Sequence, residues 1–352
     1  MHAKLGFDFY GLGNAGDDLM LAGFLDIWRC RKPLFAVVSK SQQKILERRF
    51  PEIMWLTSND QQPSYDLWLG VGDTPIQVLS GPWFLEYLER ELVGPFSRNI
   101  PVIFVGIGVE REATQQKARF HEILKRVHYI STRDEKSAEC LIEEFGVDGN
   151  RVIVGDDLAN IYLSRSVGRC YTDEARSLDL AVNYFSENAS RFQWWAVHRW
   201  LQDCSLTRSV AVLANECRLL PGSEARRYAE LAWLCTLRRP LEPLPLLMPN
   251  RWATRVGDLV SHLSPIHTVM SSRFHCLLAA AWAGCKVVAL SRSSKIEMLR
   301  SRLGLAEVCP PFTPDRLDTA YRDAKQVPFA RLEAMCEKAA AATRLVLASQ
   351  DQ

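Results

Sequence analysis

The sequence predicts an α/β fold made of two Rossmann-like, doubly wound parallel-sheet domains that face each other across a cleft. Short apolar, β-branched or aromatic runs alternate with amphipathic stretches over almost the whole chain, as in βαβ units. The length of 352 residues exceeds what one hydrophobic core usually supports, so two domains are expected. A polar stretch without clear periodicity, residues 163–177, interrupts the alternation near the middle.

The elements of the first half follow from apolar runs that end at glycine, proline or charged residues. Strands are predicted at residues 5–10, 34–38, 53–56, 67–70, 102–106, 129–131 and 152–154. Helices between them are predicted at residues 18–29, 83–92, 115–127 and 136–145. Strands that alternate with helices in this way predict a parallel sheet.

The alternation resumes after the polar stretch, which places the domain boundary there. The first domain is predicted to span residues 1–170 and the second residues 171–352. Strands of the second half are predicted at residues 178–184, 210–214, 244–248, 268–270 and 287–290. An apolar helix is predicted at residues 276–283, and an alanine-rich packing helix at residues 329–347 closes the second domain.

The charge balance and the cysteine content indicate which binding partners and which cell compartment to expect. Lys and Arg (43) nearly balance Asp and Glu (41), so the net charge of +2 gives no general attraction to nucleic acid. The ten cysteines form no C-x-x-C pair and have no histidine at ligand spacing, which predicts neither a zinc site nor a disulfide framework. No signal peptide or apolar run of about 18 residues is present, so a cytoplasmic protein, at most peripheral at the inner face of the membrane, is expected.

One constellation in the second half predicts an anion site. The strand at 268–270 leads into Arg273 and His275 at the start of a helix, and the next strand is followed by Lys295. If the two strands are parallel neighbours, these side chains emerge at one carboxyl edge, where open α/β sheets bind ligands. The alternatives are a buried His275 satisfied by a backbone carbonyl and a solvated Lys295.

A glycine-rich turn in the first half is a second candidate for an anion-binding site. Residues 11–16 match G-x-G-x-x-G, a pattern that lets backbone N–H groups approach a pyrophosphate. The second strand is not followed by the acidic residue that holds a ribose, which argues against a dinucleotide. Asp17 and Asp18 begin the next helix, where carboxylates cap a helix and repel phosphate. A capped turn is the alternative.

Two further turns follow predicted strands of the first half. Arg133 ends one strand and begins a helix, so its guanidinium is suited to a bidentate contact with carboxylate or phosphate. Pairing with its neighbours Asp134 or Glu135 is the alternative. Gly72 and Asp73 follow another strand and either approach a ligand closely or simply form a tight turn.

Taken in order, these motifs resemble the polysaccharide pyruvyltransferase family. They are Asn14 to Asp17, Arg133-Asp134 with Ser137, Ser272-Arg273-Phe274-His275, and Lys295 after the next strand. The resemblance spans most of the chain. It implies a GT-B-like arrangement and a metal-independent transferase for polysaccharide biosynthesis. Such an enzyme moves the pyruvyl group of phosphoenolpyruvate onto hydroxyls of a saccharide or lipid-linked saccharide as a ketal, with release of phosphate.

The resemblance also implies roles for residues. Arg133, Arg273 and Lys295 would hold the phosphate and carboxylate of phosphoenolpyruvate, and His275 would act as general acid. Asp17 is the expected base. The remaining expected substrate-binding residues are Asn14, Gly16, Gly72 and Asp73. A site without metal needs several such cations, and neither a metal nor a cofactor beyond the donor substrate is expected.

Two departures from the family pattern concern the acceptor. Residues 70–75 stand where a glycine-rich run is expected, and residues 291–294 replace an aromatic-acidic pair. One alternative function is therefore a nucleotide-sugar glycosyltransferase of the same architecture, which would use Arg and Lys of the second half for a diphosphate. Another is a non-catalytic scaffold that keeps the fold. The acceptor and the oligomeric state, a homo-oligomer included, stay open.

Overall fold

The computed structural model describes residues 1–29, 31–78, 81–167, 176–184, 191–214, 226, 244–249, 253–291 and 293–349. By their internal contacts the residues group into two compact units. The first unit contains Met1–Leu12, Asp17–Tyr162 and Glu333–Gln352, and the second contains Gly13–Gly16 and Leu163–Leu332. Each unit is built around one largely parallel sheet.

The sheet of the first unit has seven strands, all parallel, in the order β3-β2-β1-β4-β5-β6-β7. They are β1 His2–Leu5, β2 Leu34–Val37, β3 Ile53–Leu56, β4 Tyr65–Val71, β5 Val102–Ile107, β6 Tyr129–Thr132 and β7 Val152–Val154. The strand order reverses between β1 and β4: β2 and β3 lie beyond β1 on one side, and β5, β6 and β7 lie beyond β4 on the other. The carboxyl ends of β1 and β4 therefore flank the position where doubly wound sheets bind ligands.

Helices connect the strands of the first half. They are α1 Ala15–Trp28, α2 Lys40–Arg49, α3 Trp83–Ser97, α4 Lys117–Leu124, α5 Glu135–Glu139 and α6 Ala159–Ser166. A 3-10 turn at Arg111–Gln116 precedes α4, and a π-helical turn at Cys140–Glu144 continues α5. The start of α2 is fixed by a capping box, in which the side chains of Ser39 and Gln42 accept each other's backbone N–H.

The second unit repeats this plan. Its sheet has the order β10-β9-β8-β11-β12-β13, and β14 pairs antiparallel with β12. The strands are β8 Leu178–Asn183, β9 Val210–Leu213, β10 Leu246–Leu247, β11 Ile266–Ser271, β12 Lys286–Leu290, β13 Ala306–Val308 and β14 Lys325–Gln326. The helices in its described residues are α7 Arg191–Cys204, α8 Phe274–Trp282, α9 Ser294–Leu303 and α10 Pro314–Asp323, and the C-terminal helix of the chain is α11 Phe329–Ala348. None of the helices in the described ranges combines the length and apolar composition that a membrane crossing requires.

The predicted fold class, two Rossmann-like parallel-sheet domains, is confirmed. One strand prediction is wrong in its bounds, because β1 ends at Leu5 and residues 6–10 leave the sheet. Phe7 and Tyr10, two of the aromatic side chains that suggested a strand there, pack into the core instead. Phe7 lies 5.8 Å from Trp68 and 5.3 Å from Phe84, measured between ring centroids.

The C-terminal helix differs from its predicted place in the second domain, since Glu333–Gln352 groups with the first unit. The small side chains of this helix allow the packing: a Cβ at Gly155 would lie only 2.8 Å from Ala342 Cβ, so the close approach requires glycine at position 155. Lys338 forms an ion pair with Glu135 in the same unit. The predicted boundary between residues 170 and 171 lies outside the described residues and stays a prediction.

A buried ion pair anchors the turn that follows β1. Asp18 pairs with Arg49 of α2, and both side chains are almost completely shielded from solvent. The same carboxylate accepts a hydrogen bond from Gly11 N at 2.8 Å. Burial raises the pKa of Asp18, while Arg49 and the Gly11 N–H oppose this shift. Asp18 thus fixes the glycine-rich turn against α2.

We expect Asp18→Ala to lower the free energy of unfolding by about 3–5 kcal/mol, because Arg49 loses the buried carboxylate that compensates its charge. Glu122→Ala, which removes an exposed partner of Lys125, is the control and should leave stability unchanged. Urea unfolding followed by circular dichroism measures both. A loss of less than about 1 kcal/mol in Asp18→Ala would contradict the anchoring role.

Candidate functional site

The residues of the predicted anion site follow strands at the carboxyl edge of the second sheet. β11 and β12 are adjacent and parallel, which is the condition on which the expected site depends, and Ser271 lies opposite Ala289. Arg273 and His275 follow β11, and Lys295 follows β12, so these side chains leave the sheet at one edge. All three are half-buried rather than fully solvated. The register between β11 and β12 thus sets the positions from which Arg273, His275 and Lys295 leave the sheet.

A polar network fixes the turn that leads out of β11. Ser271 Oγ donates to Asn183 Oδ1 at 3.1 Å and accepts from Arg273 N at 3.0 Å. Ser272 N donates to Asn183 O at 2.9 Å. Asn183 ends the neighbouring strand β8, and its Nδ2 donates to Leu213 O at 3.0 Å. Sequence reasoning missed Asn183; its only signal was a polar residue at the end of an apolar strand.

Arg273 and His275 occupy different positions at the start of α8. Arg273 is the N-cap residue, with extended backbone angles, whereas the sequence placed it in the first helical turn. Its side chain makes no capping bond to the helix. His275 lies within the first turn, and Phe274 packs edge-on against its ring at 5.2 Å. The first N–H groups of α8 and the positive end of its dipole favour an anion at this position.

The backbone of the glycine-rich segment packs directly against His275. Gly13–Gly16 groups with the second unit, and a Cβ placed on Gly16 would lie 2.0 Å from His275 Nδ1. Only glycine therefore fits at position 16. Asn14 supports this approach, since its Oδ1 accepts from Gly16 N at 3.2 Å. Two predicted binding residues thus shape the surroundings of the imidazole.

Lys295 is placed by the start of α9. The helix begins after Ser293, which has extended backbone angles, and Lys295 is its second residue. Part of the stretch that departs from the family pattern, residue 292, lies outside the described residues. Ser291 at the end of β12 is buried and bonds to Glu307 on β13. This hydrogen bond holds the end of β12, which leads into α9, against the neighbouring strand β13.

Arg133 lies at the carboxyl edge of the first sheet and is 5% exposed. Its Nη2 donates to Thr74 Oγ1 at 2.9 Å, and its Nε lies 3.8 Å from Asp134 Oδ2. The alternative pairing with Asp134 is therefore present in part. The guanidinium also lies over Gly108, where a Cβ would come within 2.5 Å of Nη2. Thr74 and Gly108 were not among the predicted site residues, although both follow glycine-containing strand ends.

The other predicted residues of the first unit surround Tyr10. Gly72 and Asp73 form a left-handed turn after β4, with φ of +73° and +57°. Tyr10 Oη donates to Val71 O at 2.8 Å. Burial raises the pKa of Tyr10 well above its ordinary value, and the charges of Asp17 and Asp73 add to this shift. Asp17 and Asp73 therefore lie close enough to act on one phenol at this edge.

Each unit thus gathers its own predicted residues. The first unit holds Asp17, Gly72, Asp73 and Arg133, and the second unit holds Asn14, Gly16, Arg273, His275 and Lys295. Within the described part of the chain, no group of three or more His, Cys, Asp or Glu side chains is arranged to hold a metal ion. An open groove of about 610 Å³ beside β13 and α10 contains none of the predicted site residues.

Because the Gly16 backbone fills the space beside the imidazole, Gly16→Ala should displace the His275 ring. The expected result is a large shift of the His275 ring signals in ¹³C and ¹⁵N correlation spectra, with His275→Gln used for assignment. Gly94→Ala is the matched control, since the nearest atom to a Cβ there is 4.0 Å away. Unchanged His275 signals in Gly16→Ala would contradict the close packing.

Solved structures with the same fold cover nearly the whole chain. HepE of Anabaena in complex with UDP and glucose has a TM-score of 0.57 and 13% identity, over 99% of this chain and 96% of that chain. UDP-GlcNAc 2-epimerase of Neisseria meningitidis bound to UDP-GlcNAc has a TM-score of 0.59 and 11% identity, over 99% of each chain. UDP-N-acetylglucosamine 2-epimerase of Rickettsia bellii has a TM-score of 0.61 and 10% identity, over 98% of this chain and 94% of that chain. These likenesses establish the GT-B-like fold alone.

Sequence comparison identifies the family. A search of curated protein sequences finds no match. The family model described as polysaccharide pyruvyl transferase matches residues 14–294, a segment that begins at Asn14 and ends just before Lys295. It includes residues 14–16 of the glycine-rich turn, Arg133 and the turn that carries Arg273 and His275. The chain therefore belongs to the polysaccharide pyruvyl transferase family.

Proposed function

We propose that this transferase moves the pyruvyl group of phosphoenolpyruvate to hydroxyls of a saccharide or lipid-linked saccharide, forms a ketal and releases phosphate. Family membership supports a pyruvyl transferase in polysaccharide biosynthesis. The observation that supports the choice of donor is that Arg273, His275 and Lys295 follow two adjacent parallel strands at their carboxyl ends. A cytoplasmic location belongs to the same proposal.

The donor has two anionic groups, and the proposed binding residues match them. Arg273 offers a planar fork for the carboxylate or phosphate, Lys295 adds a point charge, and the first N–H groups of α8 complete the set. The family resemblance is the ground for proposing that Arg133 also contacts phosphoenolpyruvate. With this many cationic groups, the proposal requires no metal ion to balance the charge of phosphoenolpyruvate.

The chemistry assigned to His275 is general acid catalysis. Protonated His275 delivers its proton to the methylene carbon of phosphoenolpyruvate, which leaves C2 with oxocarbenium character. A saccharide hydroxyl attacks C2 and gives its proton to Asp17. The C2–O bond to phosphate then breaks, and phosphate departs with the bonding pair. A second hydroxyl adds to C2 and gives its proton to the now neutral His275, which closes the ketal and restores the acid. No electrons are exchanged with a cofactor.

A second candidate, a nucleotide-sugar glycosyltransferase, is favoured by the likeness over almost the whole chain to structures bound to UDP and UDP-sugars. Such an enzyme would use Arg273 and Lys295 for the diphosphate. Tryptophan fluorescence titration separates the two candidates. A response to phosphoenolpyruvate and none to uridine or guanosine diphosphate supports pyruvyl transfer, and the reverse supports the glycosyltransferase.

Incubation with phosphoenolpyruvate and a set of glycans tests the proposed reaction itself. We expect phosphate release that depends on the glycan, together with a glycan whose mass has risen by one pyruvyl ketal. The scaffold alternative predicts neither product. Phosphate release without any change in glycan mass would contradict the proposed transfer.

His275→Gln should fold normally and lose about 100-fold or more in kcat, because glutamine cannot supply a proton to carbon. His267→Gln is the matched control: it lies on β11 as well but at the amino end of the strand, and it should keep wild-type turnover. Phosphate release under saturating donor measures both. Comparable kcat for the two variants would remove His275 from the acid role.

Arg273→Lys should raise the KM for phosphoenolpyruvate by about 10-fold or more, because an ammonium group cannot make the bidentate contact of a guanidinium. Arg316→Lys, an exposed position on α10 of the same unit, is the control and should leave KM unchanged. Steady-state kinetics with varied donor give both values. An unchanged donor KM in Arg273→Lys would count against its assignment to the donor.

A further inference from the structure

Two partly exposed aromatic side chains lie at the carboxyl edge of the first sheet. Phe9 follows β1 after a few residues, and Trp83 is the first residue of α3, which follows the turn after β4. β1 and β4 are adjacent and parallel, so both side chains stand at the edge where the strand order reverses. Neither residue belongs to the set assigned to donor binding or catalysis.

These rings form a supported surface rather than isolated side chains. Trp83 is 47% exposed, whereas Phe84 beneath it is 1% exposed. The Phe84 ring lies 4.7 Å from the Trp83 ring and 6.1 Å from the Phe9 ring, measured between centroids. Phe84 therefore holds both outer rings in place. Single exposed apolar side chains are ordinary on protein surfaces, but a rigid aromatic pair at a ligand-binding edge is not.

Two carboxylates, Asp8 and Asp17, are connected to this aromatic surface through neighbouring residues. Asp8 precedes Phe9 and is exposed, and its charge acts on Tyr87, which lies one helical turn after Trp83. The Phe9 ring lies 4.8 Å from the Tyr10 ring. Tyr10 is in turn within electrostatic reach of Asp17, the proposed base. Tyr10 therefore links the aromatic surface, through a ring contact, to the carboxylate that would accept a proton from an attacking hydroxyl.

We infer that the surface formed by Phe9 and Trp83 over Phe84 binds a sugar ring of the acceptor, which it holds beside Asp17. A pyranose ring has a C–H face that packs on aromatic rings and hydroxyls that bond to carboxylates, here that of Asp8. An aromatic side chain gives a large, rigid contact area with few rotatable bonds. This inference rests on the proposed function for the role of the bound saccharide as acceptor.

The test measures saccharide binding without phosphoenolpyruvate. Saturation-transfer NMR is run on the full chain with the methyl glycosides of galactose, glucose and mannose and of their N-acetylamino derivatives. Trp83→Ala should weaken the binding of the favoured glycoside by at least about 10-fold, and Trp83→Phe should restore most of it. Trp195→Ala, which removes a tryptophan that is 42% exposed in the second unit, is the matched control and should bind as wild type.

The inference is overturned if wild type binds none of these glycosides, or if Trp83→Ala binds them as well as wild type does. Thermal unfolding of each variant separates loss of binding from loss of fold, and Phe9→Ala gives a second variant of the same surface.

The same measurements distinguish failure of this inference from failure of the proposed function. A chain that binds the glycosides through Trp83 but releases no phosphate from phosphoenolpyruvate keeps the saccharide surface and loses the donor. Turnover of phosphoenolpyruvate with an unchanged acceptor KM in Trp83→Ala overturns the surface alone.

Discussion

The parallel pairing of β11 with β12 is the constraint on which the proposed donor site depends. In an open parallel sheet the residues that follow adjacent strands lie at one edge. The register between β11 and β12 therefore fixes where Arg273, His275 and Lys295 leave the sheet. The hydrogen bonds between Ser271 and Asn183 then set the path of the turn. A slip of the strand by one residue would reverse the side-chain alternation and break both arrangements.

Close backbone approach is the second constraint, and glycine is what makes it possible. Gly16 leaves no room for a side chain beside the His275 ring, and Gly108 leaves none beside the Arg133 guanidinium. In each case a side chain of the proposed site packs directly against backbone atoms, so its conformational freedom is restricted before any substrate binds. Such restriction is what a site needs when charge and proton transfer must be oriented.

Sequence pattern predicted the two parallel sheets and the edge positions of Arg273, His275 and Lys295, because hydrophobic periodicity and strand ends are local properties. It placed β1 too late, since aromatic side chains that fill a core from a turn look like those of a strand. It assigned the C-terminal helix to the second domain, because chain order does not reveal that Ala342 packs on Gly155. The contact between Gly16 and His275, and the bond from Arg133 to Thr74, depend on tertiary packing that no local pattern encodes.

A crystal structure of the protein with phosphoenolpyruvate bound tests the central claim most directly. The account predicts the donor at the carboxyl edge of the second sheet, its anionic groups in contact with Arg273 and Lys295 and its methylene carbon within reach of the His275 ring. Phosphoenolpyruvate bound away from all three side chains would contradict it.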